Sequence, residues 1–268
     1  MKLGFIGTGN LASAILNGVL AAGAAQPTDI KIFDRDSAKT AALAAQHGVA
    51  VAACAGEIAA DCGVFFVAVK PKDVDALAAE IRAAALDSGA VVVSTAAGKP
   101  LAALEAAYGA GVKLVRIMPN VNAAVGQSMT ALCRNDAVSD AEFDAVCVLC
   151  NAFGRSICLP EAQFSVFTAV AGSAPAFAYL FADALTNAGI RGGMTAADAQ
   201  LAAAQMLLGS AQMLLGSGKP VSDLVRSVCS PAGTTIEGVC SLKADGFEGA
   251  VIRAVEATVA RDRAMTKG

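Results

Sequence analysis

The sequence predicts an α/β protein in which a doubly wound sheet is followed by a part made only of helices. Up to residue 159, short and nearly continuous apolar runs alternate with helical patterns. Such runs are typical of strands covered on both faces, as in a parallel sheet between two helix layers. From Pro160 the strand signals stop and only helical patterns follow. This change predicts two domains, residues 1–159 and 160–268.

The individual elements follow from hydrophobic periodicity. Strands are expected at 3–6, 30–33, 49–52, 64–69, 91–95, 113–118 and 155–159. Helices of the first part are expected from residue 10, at 37–43, 74–86, 101–108 and 141–151, with 121–134 left open between strand and loop. Helices of the second part are expected at 161–170, 174–188, 195–215, 221–228, 234–243 and 247–263.

A glycine pattern joins the first strand to the first helix. Gly7, Gly9 and Ala12 are spaced as G-x-G-x-x-A, and Asp34 follows the second strand. In a strand-turn-helix the first glycine makes the tight turn, the second lets the backbone approach a pyrophosphate, and the small third residue keeps helix and strand close. An acidic residue about 20 positions on completes this fingerprint. The first domain is therefore predicted to be a Rossmann-type domain with a dinucleotide site.

The composition limits the remaining classes of function. The chain has 268 residues, of which 56% are hydrophobic and 16% charged, and its net charge is −3. This balance argues against a nucleic-acid or membrane partner. The uninterrupted apolar runs are far shorter than the ~20 residues that span a bilayer, and Met1-Lys2 leads directly into a strand. We therefore expect a soluble, cytoplasmic protein.

Eight cysteines and one histidine raise the question of a metal or redox centre. Cys147 and Cys150 form a C-x-x-C, but they lie on an apolar helix, no second pair follows, and His47 is the only histidine. Reduced core cysteines and no metal site are expected. His47 is interpreted as a residue at the end of a helix.

One helix of the second part is apolar nearly all round. It contains the segment 204–210 and an identical copy of it at 211–217. The period of seven places Met206 with Met213, and Leu207 with Leu214, in one stripe. A helix of this kind must be covered. The cover is either a partner subunit, which favours a homo-oligomer, or the N-terminal domain.

Four further stretches carry residues suited to chemistry: 68–71, 94–98, 116–120 and 229–237. The first three follow predicted strands, where open α/β sheets bind ligands; Lys70 is either a cofactor contact or a solvated lysine. In the last, Thr234 and Glu237 predict a capping box at a helix start. The same turn, with free N–H groups and hydroxyls, also suits a carboxylate. Since the chain has no evident strong acid or base, an already activated substrate such as a protonated imine is favoured.

These motifs together resemble the pyrroline-5-carboxylate reductase family along the whole chain. The resemblance is carried by the opening 4–14, by 68–71, 94–98 and 118–120, and by two segments of the second part, Ala171-Gly-Ser-Ala-Pro-Ala176 and Cys229-Ser-Pro-Ala-Gly-Thr-Thr235. It implies reduction of the C=N bond of 1-pyrroline-5-carboxylate to L-proline by NADPH, or by NADH. It also implies a helical domain that intertwines two subunits, as a dimer or a ring of dimers, and an active site completed by the partner.

The resemblance also assigns site residues. It implies that Thr235 holds the substrate ring nitrogen as the catalytic residue. The substrate-binding residues would be Ser173, Ser230, Gly233, Thr234 and Thr235. The cofactor-binding residues would be Gly7, Thr8, Gly9, Asn10, Leu11, Asp34, Arg35, Ala68, Val69, Lys70, Pro71, Ala96, Ala97 and Asn120.

The chain departs from the family pattern at several of these places. Ala232 and Ala174 replace glycines, which is tolerable only where φ is negative. Arg226-Ser227 stands where an acidic residue and an amide are common. Asp34 favours a free ribose 2′-hydroxyl whereas Arg35 could accept a 2′-phosphate, so use of both cofactors is expected, with NADPH ahead.

Two other functions remain open from the residues alone. A β-hydroxyacid dehydrogenase would share the layout but needs a catalytic lysine, and the only candidates after residue 160 are Lys219, Lys243 and Lys267. A sensor or scaffold that binds NAD(P) without turnover is not excluded by the fold.

Overall fold

A computed structural model describes residues 1–266 and divides the chain into two compact units. The first unit comprises Met1–Gly172 together with the described residues from Thr258 onward, and the second is Ser173–Ala257. Internal packing thus places the division after Gly172, later than the boundary expected at 159/160. Lys267, one of the three candidate lysines, lies outside the described residues.

The first unit is built on one eight-stranded sheet. In chain order its strands are β1 (Leu3–Ile6), β2 (Ile30–Phe33), β3 (Ala50–Val51), β4 (Val64–Val67), β5 (Val91–Ser94), β6 (Lys113–Met118), β7 (Ser128–Arg134) and β8 (Gly154–Cys158). Their order across the sheet is β3-β2-β1-β4-β5-β6-β7-β8. The pairings from β3 to β6 are all parallel. This arrangement is the Rossmann order 3-2-1-4-5-6, and the predicted α/β class is confirmed.

The segment left open at 121–134 extends this sheet. It contains a 3₁₀ turn, Val121–Val125, followed by β7, which runs antiparallel to β6. Strand β8 is then parallel to β7. A short connection between β6 and β7 permits only antiparallel pairing, because a parallel neighbour needs a crossover of a dozen or more residues.

The helices of the first unit follow the strands. They are α1 (Asn10–Ala21), α2 (Ser37–His47), α3 (Ala55–Asp61), α4 (Val74–Ser88), α5 (Leu101–Tyr108), α6 (Asp140–Asn151) and the short α7 (Phe164–Phe167). Helix α3 was not predicted, since its seven residues are too few to show a helical period. His47 is the last residue of α2, as interpreted, and Gly48 ends that helix in a left-handed conformation.

Both faces of the sheet are covered, as the apolar strands predict. Neighbouring residues along a strand point to opposite faces. Phe66 accordingly belongs to one buried cluster, with Phe5 stacked on it at 5.2 Å between ring centroids, and Phe65 belongs to the other. All three rings are at most 1% exposed. The two clusters hold the carboxyl ends of β1, β2 and β4 at one edge of the sheet, where the candidate site lies.

The second unit is entirely helical within the described residues. Its helices are α8 (Ala174–Arg191), α9 (Ala196–Gly216), α10 (Val221–Ser227), α11 (Thr234–Ala244) and α12, which runs from Phe247 to Thr266 and ends in the first unit. Ahead of α8, residues Thr168–Ser173 form a π-helical turn in place of the α-helix expected to end at 170. Turns of this kind are rare and are found frequently at functional sites.

The helices of this unit leave a large apolar surface exposed. On α9, Leu201, Met206, Met213 and Leu215 are exposed, so the predicted need for a cover is not met within the single chain. By length and composition alone, the helical stretch Glu161–Arg191 could also cross a membrane, and 11% of its apolar window is buried. Counting uninterrupted apolar runs did not detect this stretch, because small and polar residues interrupt it.

Candidate active site

The turn after β1 requires glycine at its first position. Gly7 has φ = +92°, and a Cβ built on it would lie 2.6 Å from the carbonyl oxygen of Ala68. The amide of Gly7 donates to the carbonyl of Phe33 at 2.8 Å, which joins the turn to the end of β2. Any side chain here would be strained and would separate β1 from β4. The fold itself therefore explains Gly7.

Gly9, by contrast, is not required by the fold. Its φ of −71° is open to any residue, and a Cβ at this position would meet no described atom within 4 Å. Helix α1 begins at the next residue, Asn10, with no side-chain cap and no acidic residue in its first turn. Free N–H groups and the positive end of the helix dipole favour an anion at this point. The open space at Gly9 thus fits the pyrophosphate of a dinucleotide.

Asp34 connects the end of β2 to the glycine turn. Its Oδ2 accepts hydrogen bonds from the amide of Thr8 at 2.7 Å and from the Thr8 hydroxyl at 3.0 Å, and its Oδ1 accepts from the amide of Asp36 at 3.0 Å. Partial burial opposes ionisation, but these hydrogen bonds and the charge of Lys39 together hold the pKa of Asp34 below its ordinary value. The carboxylate is therefore an anion that only accepts hydrogen bonds.

A cavity of about 600 Å³ opens along this edge of the sheet. This volume is within the range of small-molecule and cofactor sites. The cavity brings together seven of the residues predicted to bind the cofactor, namely Gly7, Gly9, Asp34, Arg35, Ala68, Val69 and Lys70. Its lining does not include the other seven, which are Thr8, Asn10, Leu11, Pro71, Ala96, Ala97 and Asn120.

Asn120 has a clear structural task. It is 8% exposed, its Nδ2 donates to the carbonyl of Ala171 at 2.9 Å, and its Oδ1 accepts from the amide of Asn122 at 3.1 Å. Its own amide donates to the hydroxyl of Ser128 at 3.1 Å. The side-chain amide therefore holds the π-helical turn that contains Ala171, and its cofactor role stays a prediction.

Sequence reasoning missed the charged residues that α2, the 3₁₀ turn Pro71–Asp73 and α4 contribute to the cavity. Lys39, Lys72, Asp73 and Glu80 line it beside the predicted residues, and Arg35 pairs with Asp73 at 3.4 Å. The available signal was positional, since helices that follow the parallel strands on either side of β1 begin at the same sheet edge. Four cations and three carboxylates thus share this cavity.

An ion pair anchors the segment that leads out of the sheet. Arg116, 6% exposed on β6, donates to Glu161 Oε1 at 2.7 Å and lies over the ring of Phe164 at 4.6 Å. The same carboxylate oxygen accepts from the amide of Leu101 at 2.7 Å, at the uncapped start of α5. One carboxylate thus ties β6, α5 and the chain before α7 together.

In the second unit, the turn before α11 presents free donors. Helix α11 begins at Thr234, with Gly233 as its N-cap and no side-chain cap hydrogen bond, so the predicted capping box is wrong. The reason is that the amide of Gly233 donates to the carbonyl of Ser230 at 3.1 Å, which closes the turn one residue earlier. A Cβ on Gly233 would lie 2.2 Å from Ser230 Oγ, so a larger residue there would displace the Ser230 hydroxyl from its position. Among the described residues, the exposed Thr235 hydroxyl has no hydrogen-bond partner.

Ala232 departs from what its residue type tolerates. It is the only non-glycine residue among those described with a positive φ, at +54°, so the condition of a negative φ is not met. An L-residue in this region costs roughly 1–2 kcal/mol. Ala174, the other replacement for a family glycine, opens α8 and does not have a positive φ. The two replacements therefore differ in their strain.

The remaining residues noted in this unit are engaged locally. Arg226 pairs with Asp223 at 3.0 Å, and the hydroxyl of Ser227 donates to the carbonyl of Leu224 at 2.7 Å, so both bond within α10. Ser173 is half-buried at the end of the π-helical turn, directly before α8. Lys243 lies on the surface 3.6 Å from a carboxylate of Glu248.

All eight cysteines are free thiols. Cys147 and Cys158 have their Sγ atoms 3.7 Å apart, and burial raises the pKa of the Cys147 thiol to about 12. In the part of the chain that the structure describes, no three His, Cys, Asp or Glu side chains are grouped to hold a metal ion.

Both parts of the chain match known protein families. Residues 161–265 match a family model described as pyrroline-5-carboxylate reductase dimerisation, and residues 2–98 match one described as NADP oxidoreductase, coenzyme F420-dependent. A pyrroline-5-carboxylate reductase of Escherichia coli is 37% identical over 266 residues, which cover 99% of this chain and 98% of the relative. The chain belongs to the pyrroline-5-carboxylate reductase family.

Solved structures of this family share the whole fold. A pyrroline-5-carboxylate reductase from Coxiella burnetii superposes with a TM-score of 0.95 at 29% identity, covering 100% of this chain and 99% of that one. A Plasmodium falciparum pyrroline carboxylate reductase with NADP bound gives 0.86 at 28% identity, covering 99% and 98%. The predicted Rossmann-type domain and helical dimerisation domain are confirmed, and the chain is an oxidoreductase that assembles as a homo-oligomer.

Proposed function

We propose that this protein reduces the C=N bond of 1-pyrroline-5-carboxylate to L-proline by hydride transfer from NADPH, with NADH as an alternative donor. The observation that carries the proposal is that the chain has both an open glycine turn at an uncapped helix start, at Gly9, and the uncapped Ser230–Thr235 turn, and belongs to this family over its full length.

The first unit would hold the dinucleotide. The first N–H groups of α1 would take the pyrophosphate at Gly9, and Ala68, Val69 and Lys70 would line the path along the sheet edge. NADPH, when bound there, supplies the hydride. Arg35, whose side chain is 80% exposed and makes a surface ion pair with Asp73 at 3.4 Å, would exchange that partner for a 2′-phosphate.

The second unit would hold the substrate. The N–H groups at the start of α11 would bind the carboxylate, because they have no cap and lie at the positive end of the helix dipole. The hydroxyl of Thr235 would donate to or orient the ring nitrogen. An iminium carbon is already electrophilic, so positioning to about 3–3.5 Å is the main contribution required of the protein.

A pair of substitutions separates these roles. Thr235→Val keeps the shape but removes the hydroxyl, and we expect kcat to fall about 100-fold while the Kd for NADPH hardly changes. Thr235→Ser should restore much of the activity. Gly9→Val serves as the matched control, because its side chain projects into open space and should weaken NADPH binding first. Equal losses of turnover and cofactor affinity in Thr235→Val would contradict the assignment.

The exposed apolar surface of the helical unit bears on the number of subunits and on where the protein is found. We propose a dimer, or a ring of dimers, whose partner covers the exposed apolar face of α9, and a cytoplasmic protein without nucleic-acid or membrane partners. The dimerisation match over 161–265 includes the apolar stretch Glu161–Arg191, which supports a protein cover for that stretch as well. Sedimentation velocity in detergent-free buffer tests this, and a monomer, or protein recovered only with detergent, would overturn it.

A further inference from the structure

Asp34 stands where dinucleotide-binding domains place the carboxylate that reads the ribose 2′-hydroxyl. In this chain the carboxylate is already engaged by the protein. Both hydrogen bonds to Oδ2 come from Thr8, in the glycine turn, and the bond to Oδ1 comes from the amide of Asp36. The side chain therefore links two loops of the cavity to each other.

The number of acceptor sites limits what else Asp34 can do. An ionised carboxylate offers about four lone-pair sites, and three of them accept hydrogen bonds from protein donors. Only one site on Oδ1 is left for a ligand, so Asp34 cannot accept two hydrogen bonds from a ribose without losing one of these three.

The cations near Asp34 support the same conclusion. Arg35 and Lys39 line the same cavity, and their side chains are 80% and 59% exposed. Each makes an ion pair, Arg35 with Asp73 at 3.4 Å and Lys39 with Asp36 at 3.5 Å. Exposed pairs of this kind contribute little, so both cations can exchange their partner for a phosphate, whereas the Asp34 carboxylate is held by three hydrogen bonds from the protein.

We propose that Asp34 is a positioning residue that stabilises the conformation of the glycine turn through Thr8. The preference for NADPH or NADH is then set by the neighbouring cations Arg35 and Lys39. Because both dinucleotides share the pyrophosphate that the turn binds, Asp34 acts on the two affinities alike. This inference rests on the proposed function and assigns a role within the same site.

The test measures Kd for NADPH and for NADH separately, from the increase in the fluorescence of the dinucleotide on binding. Asp34→Asn should weaken the affinity for each dinucleotide by about tenfold, since a charge-assisted hydrogen bond is lost from the turn. The ratio of the two Kd values should stay within about threefold of wild type. Arg35→Gln with Lys39→Gln is the matched control and should weaken NADPH alone.

Thr8 provides the second variant. Thr8→Val removes the hydroxyl that donates a hydrogen bond to Asp34, and should weaken the binding of both dinucleotides. Thr8→Ser keeps the hydroxyl and should retain the affinity for both. Thr8→Val added to Asp34→Asn should cost less than the sum of the two changes, because the two residues share one interaction. If Asp34→Asn does not fold, the comparison of valine with serine at residue 8 decides the question.

Three results would overturn the proposal: selective loss of NADH in Asp34→Asn, a ratio shifted about tenfold or more, or unchanged affinity for both dinucleotides. The first two would make Asp34 a ribose reader. If wild type binds neither NADPH nor NADH, the proposed function itself fails, which is a different result from any of these.

Discussion

Replacing Ala232 by glycine should stabilise the protein. Ala232 has φ = +54°, and its side chain is exposed, so the substitution removes little packing. An alanine in the left-handed region costs roughly 1–2 kcal/mol relative to its ordinary conformations, whereas glycine enters this region freely.

The magnitude follows from two opposed effects. Relief of the strained conformation favours Ala232→Gly, and the larger freedom of glycine in the unfolded chain opposes it by about 0.4–1 kcal/mol. The net gain expected in the free energy of unfolding is therefore about 0.5–1 kcal/mol. For a chain of this size the melting temperature should rise by about 1–3 °C.

Ala174→Gly provides the matched control. It is also an alanine in place of a family glycine, but it lies in the first turn of α8 without a positive φ. Glycine there should lower the free energy of unfolding by about 0.5–1 kcal/mol. Thermal denaturation of both variants at one fixed protein concentration checks the pair. If the two changes have the same sign, or Ala232→Gly lowers the melting temperature, the strain argument is refuted.

Two further predictions concern ion pairs. Glu161→Gln should lower the free energy of unfolding by about 2 kcal/mol, because it leaves the buried Arg116 without its counter-ion. Urea denaturation measures this change, and an unchanged midpoint would contradict the prediction. The hydrogen bond from Lys113 is the largest cause that lowers the pKa of Glu142 from 4.5 to about 2. A carboxyl whose pKa is lower in the folded state stabilises the fold fully at pH values above its unfolded-state pKa. This stabilisation is lost as the pH falls through the folded-state pKa. Stability should therefore decline between about pH 4.5 and 2, and Glu142→Gln should flatten that decline; parallel curves would refute this.

The strands and the glycine turn could be predicted because their signals are local. An apolar run such as Val64–Val67 has to be buried on both faces, and Gly7 is required by its own φ and by the carbonyl of Ala68. The residues that close the cavity from α2 and α4 could not be found this way. Their roles depend on which helix starts come together at the sheet edge, and no periodicity encodes that.

The errors have equally physical causes. A T-x-x-E pattern is present at Thr234, but the turn from Ser230 shifts the cap to Gly233. A helical period cannot distinguish α from π over the few residues Thr168–Ser173. The sign of φ at Ala232 depends on backbone geometry that one side chain does not reveal. In each case a tertiary or backbone constraint prevails over a correct local pattern.

The division of the chain has a consequence for its synthesis. The second unit, Ser173–Ala257, is continuous, but the first unit takes its last segment from residues after Thr258. Domains generally fold from the N-terminus during translation, yet here the first unit lacks part of its packing until the C-terminal end of α12 leaves the ribosome. All eight strands lie between residues 3 and 158, so the sheet can form earlier, but the first unit gains its last packing only in a protomer whose dimerisation segment has already been synthesised.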